Sequence, residues 1–339
     1  MTASELAATA AAIVAPGKGI LAADESTGTI KKRLDGIGVE STEENRRAYR
    51  ELLLTAAGAA EHIGGVILFD ETLRQSAADG TPFPKVLSDQ GIAPGIKVDT
   101  GAKDLAGSDG EKVTEGLDGL RERLADYAKL GAKFTKWRAV ITIGHTIPSR
   151  YGIEANAHAL ARYAALSQEA GLVPIVEPEV LMDGSHTIER CQKVTEATLQ
   201  EVYNQLATHR VQLEGTLLKP NMVVAGSDCE TQAGIEQVAE MTVASLRRRV
   251  PGAVPGIVFL SGGQSEQEAT AHLNAMNVLG RQPWELSFSY GRALQQSALK
   301  AWGGEAGNAA RAQAVYLHRA RMNGLARSGD YKPELEPAA

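Results

Sequence analysis

The sequence alternates short apolar runs with longer segments of helical periodicity, and this alternation repeats along the chain. Eight runs are predicted to be strands, at 19–24, 64–69, 95–99, 134–143, 172–176, 214–218, 256–260 and 285–288. Strands that alternate with helices indicate a parallel sheet. Eight of them over more than about 250 residues favour a closed (β/α)8 barrel of the TIM type, an α/β fold.

The helical segments follow most of the strands. Leu117, Leu120, Leu124 and Tyr127, for example, recur at the spacing of one helix face. The predicted helices cover 42–60, 115–130, 153–171, 186–210, 230–249, 266–279, 293–302 and 307–327. An open doubly wound sheet is the alternative, but the glycine-rich dinucleotide turn does not follow the first strand.

No linker or composition break divides the chain, so a single barrel domain is predicted over 1–327. The remaining segment, 328–339, contains Pro333 and Pro337 and is expected to be a flexible tail.

The composition fits a cytoplasmic enzyme. The net charge of −6 gives no overall attraction to nucleic acid or to a membrane, so neither is expected as a partner. The only cysteines, Cys191 and Cys229, cannot build a disulfide scaffold. Residues 1–15 lack the pattern of a signal or transit peptide. No apolar run approaches the roughly 18 residues that suggest a membrane span.

Charged residues stand late in five of the predicted strands, where a parallel barrel should be apolar. Paired charges lie two residues apart and therefore share a face, and late-strand residues line the catalytic mouth of a barrel. One such charge alone would suit a solvated strand end, but five strands together predict a site. The residues are Asp24, Lys97, Asp99, Lys136, Arg138, Glu177, Glu179 and Lys219.

Lys219 is the most informative of these charges, because it ends an apolar strand and precedes Pro220. Burial disfavours the charged form of a lysine, and a neutral amine is the form that attacks a carbonyl to make a Schiff base. The simpler interpretation is that the aliphatic stem lies on the core and the ammonium reaches water.

Two glycine-containing loops follow the last two predicted strands. Ser261-Gly262-Gly263 follows the seventh, and Gly291-Arg292 follows the eighth and opens a helix. Backbone N–H groups in such loops bind oxyanions, and barrels often bind phosphate at these two positions. A phosphate site is therefore predicted there.

A second anionic site is expected around Ser26, Lys32, Arg33 and Lys97, with a solvated basic turn as the alternative.

No metal site is expected. None of the seven histidines forms a pair or cluster with ligand spacing, and no cofactor is predicted.

At this point the sequence resembles the class I fructose-bisphosphate aldolase family from residue 19 to about 329. The segments that carry the resemblance are GILAADESTG at 19–28, VPIVEPE at 173–179, LEGTLLKPN at 213–221, FLSGGQS at 259–265 and FSYGRAL at 288–294. The resemblance implies a (β/α)8 barrel, commonly a homotetramer, that cleaves fructose 1,6-bisphosphate reversibly to dihydroxyacetone phosphate and glyceraldehyde 3-phosphate without metal.

The resemblance also implies roles for the charged residues. Lys219 would form the Schiff base, and Glu177 would act as acid and base for carbinolamine formation and dehydration. Asp24 would take the proton from the hydroxyl on the fourth carbon. Lys136 would lie against Lys219 and the substrate, and Glu179 would tune both lysines. For these roles, Glu177 is expected to have a raised pKa and Asp24 to stay ionised.

The phosphate sites follow from the same resemblance. One phosphate would contact Ser261, Gly262, Gly291 and Arg292. The other would face Ser26, Arg33 and Lys97, and Arg138 is placed with the substrate-binding residues.

Three points stay open at the level of sequence. Animal members of the family end in a tyrosine that moves a proton on the enamine, whereas the last tyrosine here is Tyr331, either a substitute or a tail anchor. The same mechanism could act on sedoheptulose 1,7-bisphosphate. A non-catalytic scaffold barrel is the third interpretation, although ionisable groups kept at the mouth would cost such a protein stability.

Overall fold

A computed structural model of the chain describes residues 2–336. Eight parallel strands close into a barrel in the order β1-β10-β9-β8-β7-β6-β3-β2, which confirms the predicted (β/α)8 fold. The barrel strands are β1 (Gly19–Ala23), β2 (Ile63–Leu68), β3 (Ala93–Lys97), β6 (Phe134–Ile141), β7 (Val173–Val180), β8 (Leu217–Leu218), β9 (Gly256–Phe259) and β10 (Glu285–Tyr290). A separate antiparallel hairpin consists of β4 (Gly101–Asp104) and β5 (Lys112–Glu115).

Helices surround the barrel. They are α1 (Ala3–Ile13), α2 (Thr27–Asp35), α3 (Glu43–Leu54), α4 (Asp70–Arg74), α5 (Phe83–Asp89), α6 (Leu120–Lys129), α7 (Arg150–Glu169), α8 (Ile188–Thr208), α9 (Ile235–Arg249), α10 (Glu266–Val278), α11 (Arg292–Trp302) and α12 (Ala309–Ser328). Short 3₁₀ turns cover Ala59–Glu61, Leu213–Gly215, Ala306–Asn308 and Pro333–Leu335. Among the described residues, no helix has the length and apolar content that crossing a bilayer requires.

The predicted strand at 214–218 is only partly a strand. Residues 213–215 form a 3₁₀ turn, and only Leu217 and Leu218 pair with neighbouring strands. A Cβ on Gly215 would lie 2.9 Å from the Cβ of Leu6, so the turn lets α1 approach the barrel closely. The basic segment 31–33, for which a solvated turn was the alternative interpretation, lies within α2.

One end of the barrel is filled by apolar side chains. Leu6 and Ile13 of α1 form a buried cluster with residues of the strands, including Phe134 and Ile175. Phe134 fills space left by Gly95, where an added Cβ would lie 2.2 Å from the ring. Burial of one large apolar side chain stabilises a protein by about 1.5–3 kcal/mol. This packing is dense, and it leaves the charged residues for the opposite end.

The strand register places the charged residues side by side. Lys97 pairs with Lys136 across β3 and β6, and Arg138 pairs with Glu177 across β6 and β7. The backbone N–H of Lys219 donates to the carbonyl of Val176 at 2.8 Å, which sets Lys219 beside the residue that follows Val176. The carboxyl ends of parallel strands therefore bring these side chains to one mouth.

Candidate active site

Four ionisable side chains form a buried cluster at the barrel mouth. The Nζ of Lys219 lies 3.0 Å from Oε1 of Glu177, and the Nζ of Lys136 lies 3.1 Å from Oε2 of the same carboxylate. Lys136 also lies 2.7 Å from Oδ2 of Asp24. The side chains of Glu177, Lys136 and Lys219 are each 5% exposed or less. Two carboxylates and two ammonium groups therefore neutralise one another away from water.

The charges within this cluster govern its titration. Burial raises the pKa of Asp24, but the ammonium groups of Lys136 and Lys219 outweigh burial and hold that pKa well below its usual range. Burial lowers the pKa of Lys136, and the carboxylates of Asp24 and Glu177 raise it above the ordinary value. Asp24 is therefore ionised at neutral pH, as expected.

The expectation of a raised pKa for Glu177 was wrong. Burial does raise the pKa of Glu177, but Lys136, Lys219 and Arg138 lower it further, and the net shift is downward. The expectation came from the acid role that the resemblance implies, and it omitted two ammonium groups in contact with the carboxylate. Glu177 is thus a carboxylate that can accept a proton.

Glu179 and Arg138 form a second ion pair beside the cluster, Nε to Oε2. Glu179 was predicted to neighbour Lys136 and Lys219, and its carboxylate faces Arg138; its tuning of the two lysines stays a prediction. Lys97 lies 3.2 Å from Oδ1 of Asp99, and Oδ2 of Asp99 accepts the backbone N–H of Arg138 at 3.2 Å. Asp99 thereby links two of the predicted binding residues.

The loops after β9 and β10 lie side by side at the mouth, because these two strands are neighbours in the barrel. Gly262 has a φ of 55°, in the left-handed region that favours glycine. The guanidinium of Arg292 donates to the carbonyl of Gly262. Gly291 precedes the first residue of α11, and a Cβ there would lie 3.4 Å from the carbonyl oxygen of Ala22. Positively polarised backbone and one guanidinium therefore converge at this loop pair, as an anion requires.

The second predicted phosphate site lies at the start of α2. Ser26 is the N-cap of α2, and its hydroxyl lies 3.2 Å from that of Thr29. Arg33 points to the mouth, whereas Lys32 is exposed and does not line the cavity.

All the residues to which the resemblance assigns a role line one open cavity of about 500 Å³, whereas Asp99 and Lys32 do not line it. The structure thus brings together residues from seven of the eight barrel strands or the loops that follow them. These are Asp24, Ser26, Arg33, Lys97, Lys136, Arg138, Glu177, Glu179, Lys219, Ser261, Gly262, Gly291 and Arg292.

Sequence reasoning missed the buried network behind Arg33. Glu25 accepts a hydrogen bond from Arg33, and its other oxygen lies 2.6 Å from Nη2 of Arg50. The amide of Gln295 donates to Glu25 at 3.0 Å and to the carbonyl of Ala22 at 2.7 Å. Burial raises the pKa of Glu25, and the two guanidinium groups outweigh it and lower the pKa. No sequence spacing links these side chains, since they come from the loop after β1 and from three helices, α2, α3 and α11.

Tyr331 lies away from the mouth. It lines a groove with Asn274 and Val278, its backbone N–H donates to Oδ1 of Asn274 at 3.0 Å, and its hydroxyl donates to Glu336 at 3.2 Å. These contacts favour a tail anchor over a substitute for a catalytic tyrosine. The predicted flexibility of 328–339 stays a prediction, and 337–339 lie outside the described residues.

Histidine, cysteine and carboxylate side chains do not assemble into a group of three or more that could hold a metal ion anywhere in residues 2–336. The cations that face the carboxylates of the mouth are lysine and arginine side chains.

A model of one protein family matches nearly the whole chain. The family is described as class-I fructose-bisphosphate aldolase, and its model covers residues 5–339. A solved structure of fructose-bisphosphate aldolase from Plasmodium falciparum, in complex with TRAP and a small-molecule inhibitor, superposes with a TM-score of 0.96 at 52% identity. The match covers 97% of this chain and 96% of that chain.

Similar proteins of known name indicate the same family. A probable fructose-bisphosphate aldolase class 1 from Xanthomonas campestris pv. campestris is 62% identical over 98% of this chain and all of its own length. The fructose-bisphosphate aldolase of Dictyostelium discoideum is 59% identical, covering 98% of this chain and 94% of its own. A cytosolic fructose-bisphosphate aldolase of Arabidopsis thaliana is 58% identical, covering 98% and 85%.

Proposed function

The chain belongs to the class I fructose-bisphosphate aldolase family and is a lyase of that class, and we propose that it cleaves its substrate through a Schiff base on Lys219. The observation that carries this proposal is the buried contact of 3.0 Å between the Nζ of Lys219 and the carboxylate of Glu177. A carboxylate in contact with the amine can take the proton that an attacking amine must lose.

In the first stage, Glu177 takes a proton from the ammonium of Lys219, and the free amine attacks the ketone carbon of the open-chain sugar. Glu177 gives this proton to the ketone oxygen and takes a second proton from the nitrogen, which leaves a neutral carbinolamine. Glu177 then gives the second proton to the carbinolamine hydroxyl, and water leaves as the iminium forms. The lowered pKa of Glu177 suits the base role in the first half of this stage. The acid role requires the carboxyl to be protonated by the reaction itself.

In the second stage, Asp24 accepts the proton of the hydroxyl on the fourth carbon. The bond between the third and fourth carbons breaks, its electrons move to the iminium, and glyceraldehyde 3-phosphate leaves. Protonation and hydrolysis of the enamine then release dihydroxyacetone phosphate. Asp24 stays ionised beside Lys136, as a proton acceptor must. Lys136 keeps its charge and can donate to substrate hydroxyls.

The strand order suggests which phosphate binds where. Lys219 follows β8, and the neighbouring strands β9 and β10 carry Ser261, Gly262, Gly291 and Arg292. The first carbon, which carries one phosphate, is bonded directly to the imine carbon, so this phosphate would occupy the nearby cradle. The phosphate on the sixth carbon would reach the opposite wall.

That wall carries the remaining predicted binding residues on β3 and β6, and the segment after β1, which lies beside β10, completes the set. They are Ser26, Arg33, Lys97 and Arg138. Three cations, each also paired with a carboxylate, and one hydroxyl there supply the hydrogen-bond donors that a second phosphate requires. A substrate with a phosphate at each end, such as fructose 1,6-bisphosphate, therefore uses the whole cavity.

We also infer a homotetramer, following the family, and a cytoplasmic location, following the relatives named cytosolic. The proposed catalytic domain is 1–327, with 328–339 as the tail. Size-exclusion chromatography with light scattering tests the tetramer. A monomer at micromolar concentration would refute it.

Cleavage assays test the proposed function. The wild-type protein and Lys219→Met are assayed with EDTA for formation of both triose phosphates, and Lys300→Met, an exposed lysine, is the matched control. We expect Lys219→Met to lose at least about 10³-fold in kcat, about 4 kcal/mol of barrier, while circular dichroism stays native. Turnover at a few per cent of wild type by Lys219→Met would refute the covalent role.

The same assay separates the alternatives. Specificity constants for fructose 1,6-bisphosphate and sedoheptulose 1,7-bisphosphate are compared, and the account predicts a higher value for the former. No turnover of either sugar by correctly folded protein would favour the scaffold interpretation.

A further inference from the structure

A methionine occupies part of the loop that we assign to phosphate binding. The backbone N–H of Gly263 donates to Sδ of Met182 at 2.9 Å. Met182 follows the end of β7, is partly exposed, and lines the same cavity as Lys219. A donor of the Ser261-Gly262-Gly263 loop is thus directed at sulfur.

The thioether covers the loop closely. A Cβ on Gly263 would lie 2.7 Å from this sulfur, and a Cβ on Gly262 would lie 3.5 Å from it. The backbone of Met182 is held in place, because its carbonyl accepts the N–H of Ser227 at 2.7 Å. The side chain has three rotatable bonds and can swing away while the backbone stays.

The strength of the hydrogen-bond acceptor on Met182 determines how strongly this contact competes with phosphate. A thioether sulfur is a weak hydrogen-bond acceptor, so a phosphate oxygen displaces it at little cost. Oxidation turns methionine into a polar sulfoxide. The sulfoxide oxygen is a strong acceptor on the same flexible chain, and it competes with phosphate for the N–H of Gly263.

We propose that Met182 is an oxidation site whose sulfoxide obstructs the phosphate cradle; the inference rests on the proposed role of that cradle. The oxidant is a hydroperoxide. Its O–O bond breaks, one oxygen bonds to the sulfur of Met182, and water or an alcohol leaves. Sulfur is oxidised by two electrons and the peroxide is reduced. A methionine sulfoxide reductase reverses the change.

Among the methionines that the structure describes, Met182 is the one that is both partly exposed and part of the cavity lining, so it is the most accessible to an oxidant at the site. Met222, Met276 and Met322 are at most 2% exposed. Met241 is partly exposed but lies on α9 and does not line the cavity. Cys229 is a partly exposed free thiol and would also react, so the experiment uses a background that lacks it.

The experiment compares Cys229→Ser protein with the double variant that adds Met182→Leu, a swap that conserves volume. Each is treated with hydrogen peroxide, and peptide mass spectrometry locates the added oxygen. We then measure KM and kcat for fructose 1,6-bisphosphate and the Kd for inorganic phosphate. Reductase treatment follows.

We expect oxidation at Met182 to raise both KM and the phosphate Kd by about fivefold, which is about 1 kcal/mol at 1.4 kcal/mol per factor of ten. Reductase should restore both values. Met182→Leu removes the competing acceptor, so it should lower KM by about twofold and abolish the response to peroxide.

Two results would overturn the inference: no oxidation at Met182, or an equal response to peroxide with and without Met182→Leu. Arg292→Ala tests separately whether the loops after β9 and β10 bind phosphate. If Arg292→Ala raises KM and peroxide has no effect, the cradle stands and the role of Met182 falls. If Arg292→Ala leaves KM unchanged, the phosphate assignment itself fails, and with it the inference.

Discussion

The carboxylate of Glu177 lies in contact with the amine of Lys219, at 3.0 Å, deep in the barrel mouth. Its second oxygen lies 3.1 Å from Lys136, so one carboxylate joins both lysines of the site. The pairing gives Glu177 direct access to the proton of the nucleophile. It also lowers the pKa of Glu177, so the resting carboxylate is a base.

Glu177→Gln should lower kcat strongly, although the substitution keeps the size and shape of the side chain. The amide cannot accept a proton from Lys219, and general acid–base catalysis contributes typically about 10²–10⁴-fold, so we expect kcat to fall within that range. Steady-state kinetics of cleavage measures the loss. Glu214→Gln, at an exposed position, is the control. A kcat within about threefold of wild type would contradict the assigned role.

Asp24→Asn should lower stability in a pH-dependent way. The folded-state pKa of Asp24 is lowered from an unfolded value of about 3.9. Its stabilisation is therefore complete above about pH 4 and is lost as pH falls through the folded-state pKa. We expect a deficit on the order of 3 kcal/mol in the free energy of unfolding at pH 7, shrinking below about pH 4.

Urea titrations of wild type and Asp24→Asn at several pH values between neutral and acid measure that deficit. Asp35→Asn, on an exposed helix pair with Lys31, should differ from wild type by less than about 0.5 kcal/mol. A deficit for Asp24→Asn that grows as the pH falls would contradict the ion-pair account.

Substitutions at the two phosphate sites should affect KM differently for substrates with one and with two phosphates. Fructose 1-phosphate lacks the phosphate on the sixth carbon. Lys97→Ala should therefore raise KM for fructose 1,6-bisphosphate by about tenfold and change that for fructose 1-phosphate by less than about twofold. Arg292→Ala should raise both. Arg150→Ala, on an exposed helix pair, is the control. The opposite pattern would reverse the assignment of the two ends.

Glu25 is expected to position Arg33. Its carboxylate holds that guanidinium from behind and is itself held by Arg50 and Gln295. Glu25→Gln should raise KM for the bisphosphate by about fivefold and leave kcat within about twofold, because one charged contact is lost away from the reacting carbons.

The effect of Glu25→Gln on fructose 1-phosphate provides the check. A merely structural role would change the kinetics of both sugars alike, whereas positioning of Arg33 affects only the bisphosphate. Glu40→Gln, at an exposed position, serves as the matched variant. Equal changes for both sugars would rule out the positioning role.

The sequence predicted the barrel because its signal is repeated. Apolar runs and helical periodicity recur eight times, so an error in one element does not change the count. The strand near 214–218 shows the limit, since it is mostly a 3₁₀ turn set by the approach of α1 to Gly215. Helix α1 itself was missed, because its alanine-rich sequence carries a weak periodic signal.

The site was predicted residue by residue because charges late in parallel strands stand out against apolar neighbours. The sequence could not predict which of these charged side chains form ion pairs with one another. The downward pKa shift of Glu177 depends on two lysines from other strands. The Glu25 network and the contact of Met182 with Gly263 join segments far apart in the chain, which no local pattern records.

Borohydride trapping tests the central claim most directly. The protein is incubated with dihydroxyacetone phosphate and EDTA, reduced with borohydride and digested, and the peptides are analysed by mass spectrometry; Lys219→Met is treated in parallel. The account predicts a substrate-sized adduct on Lys219 and none in the variant. No adduct together with activity lost to EDTA, or an adduct on Lys136 instead, would contradict it.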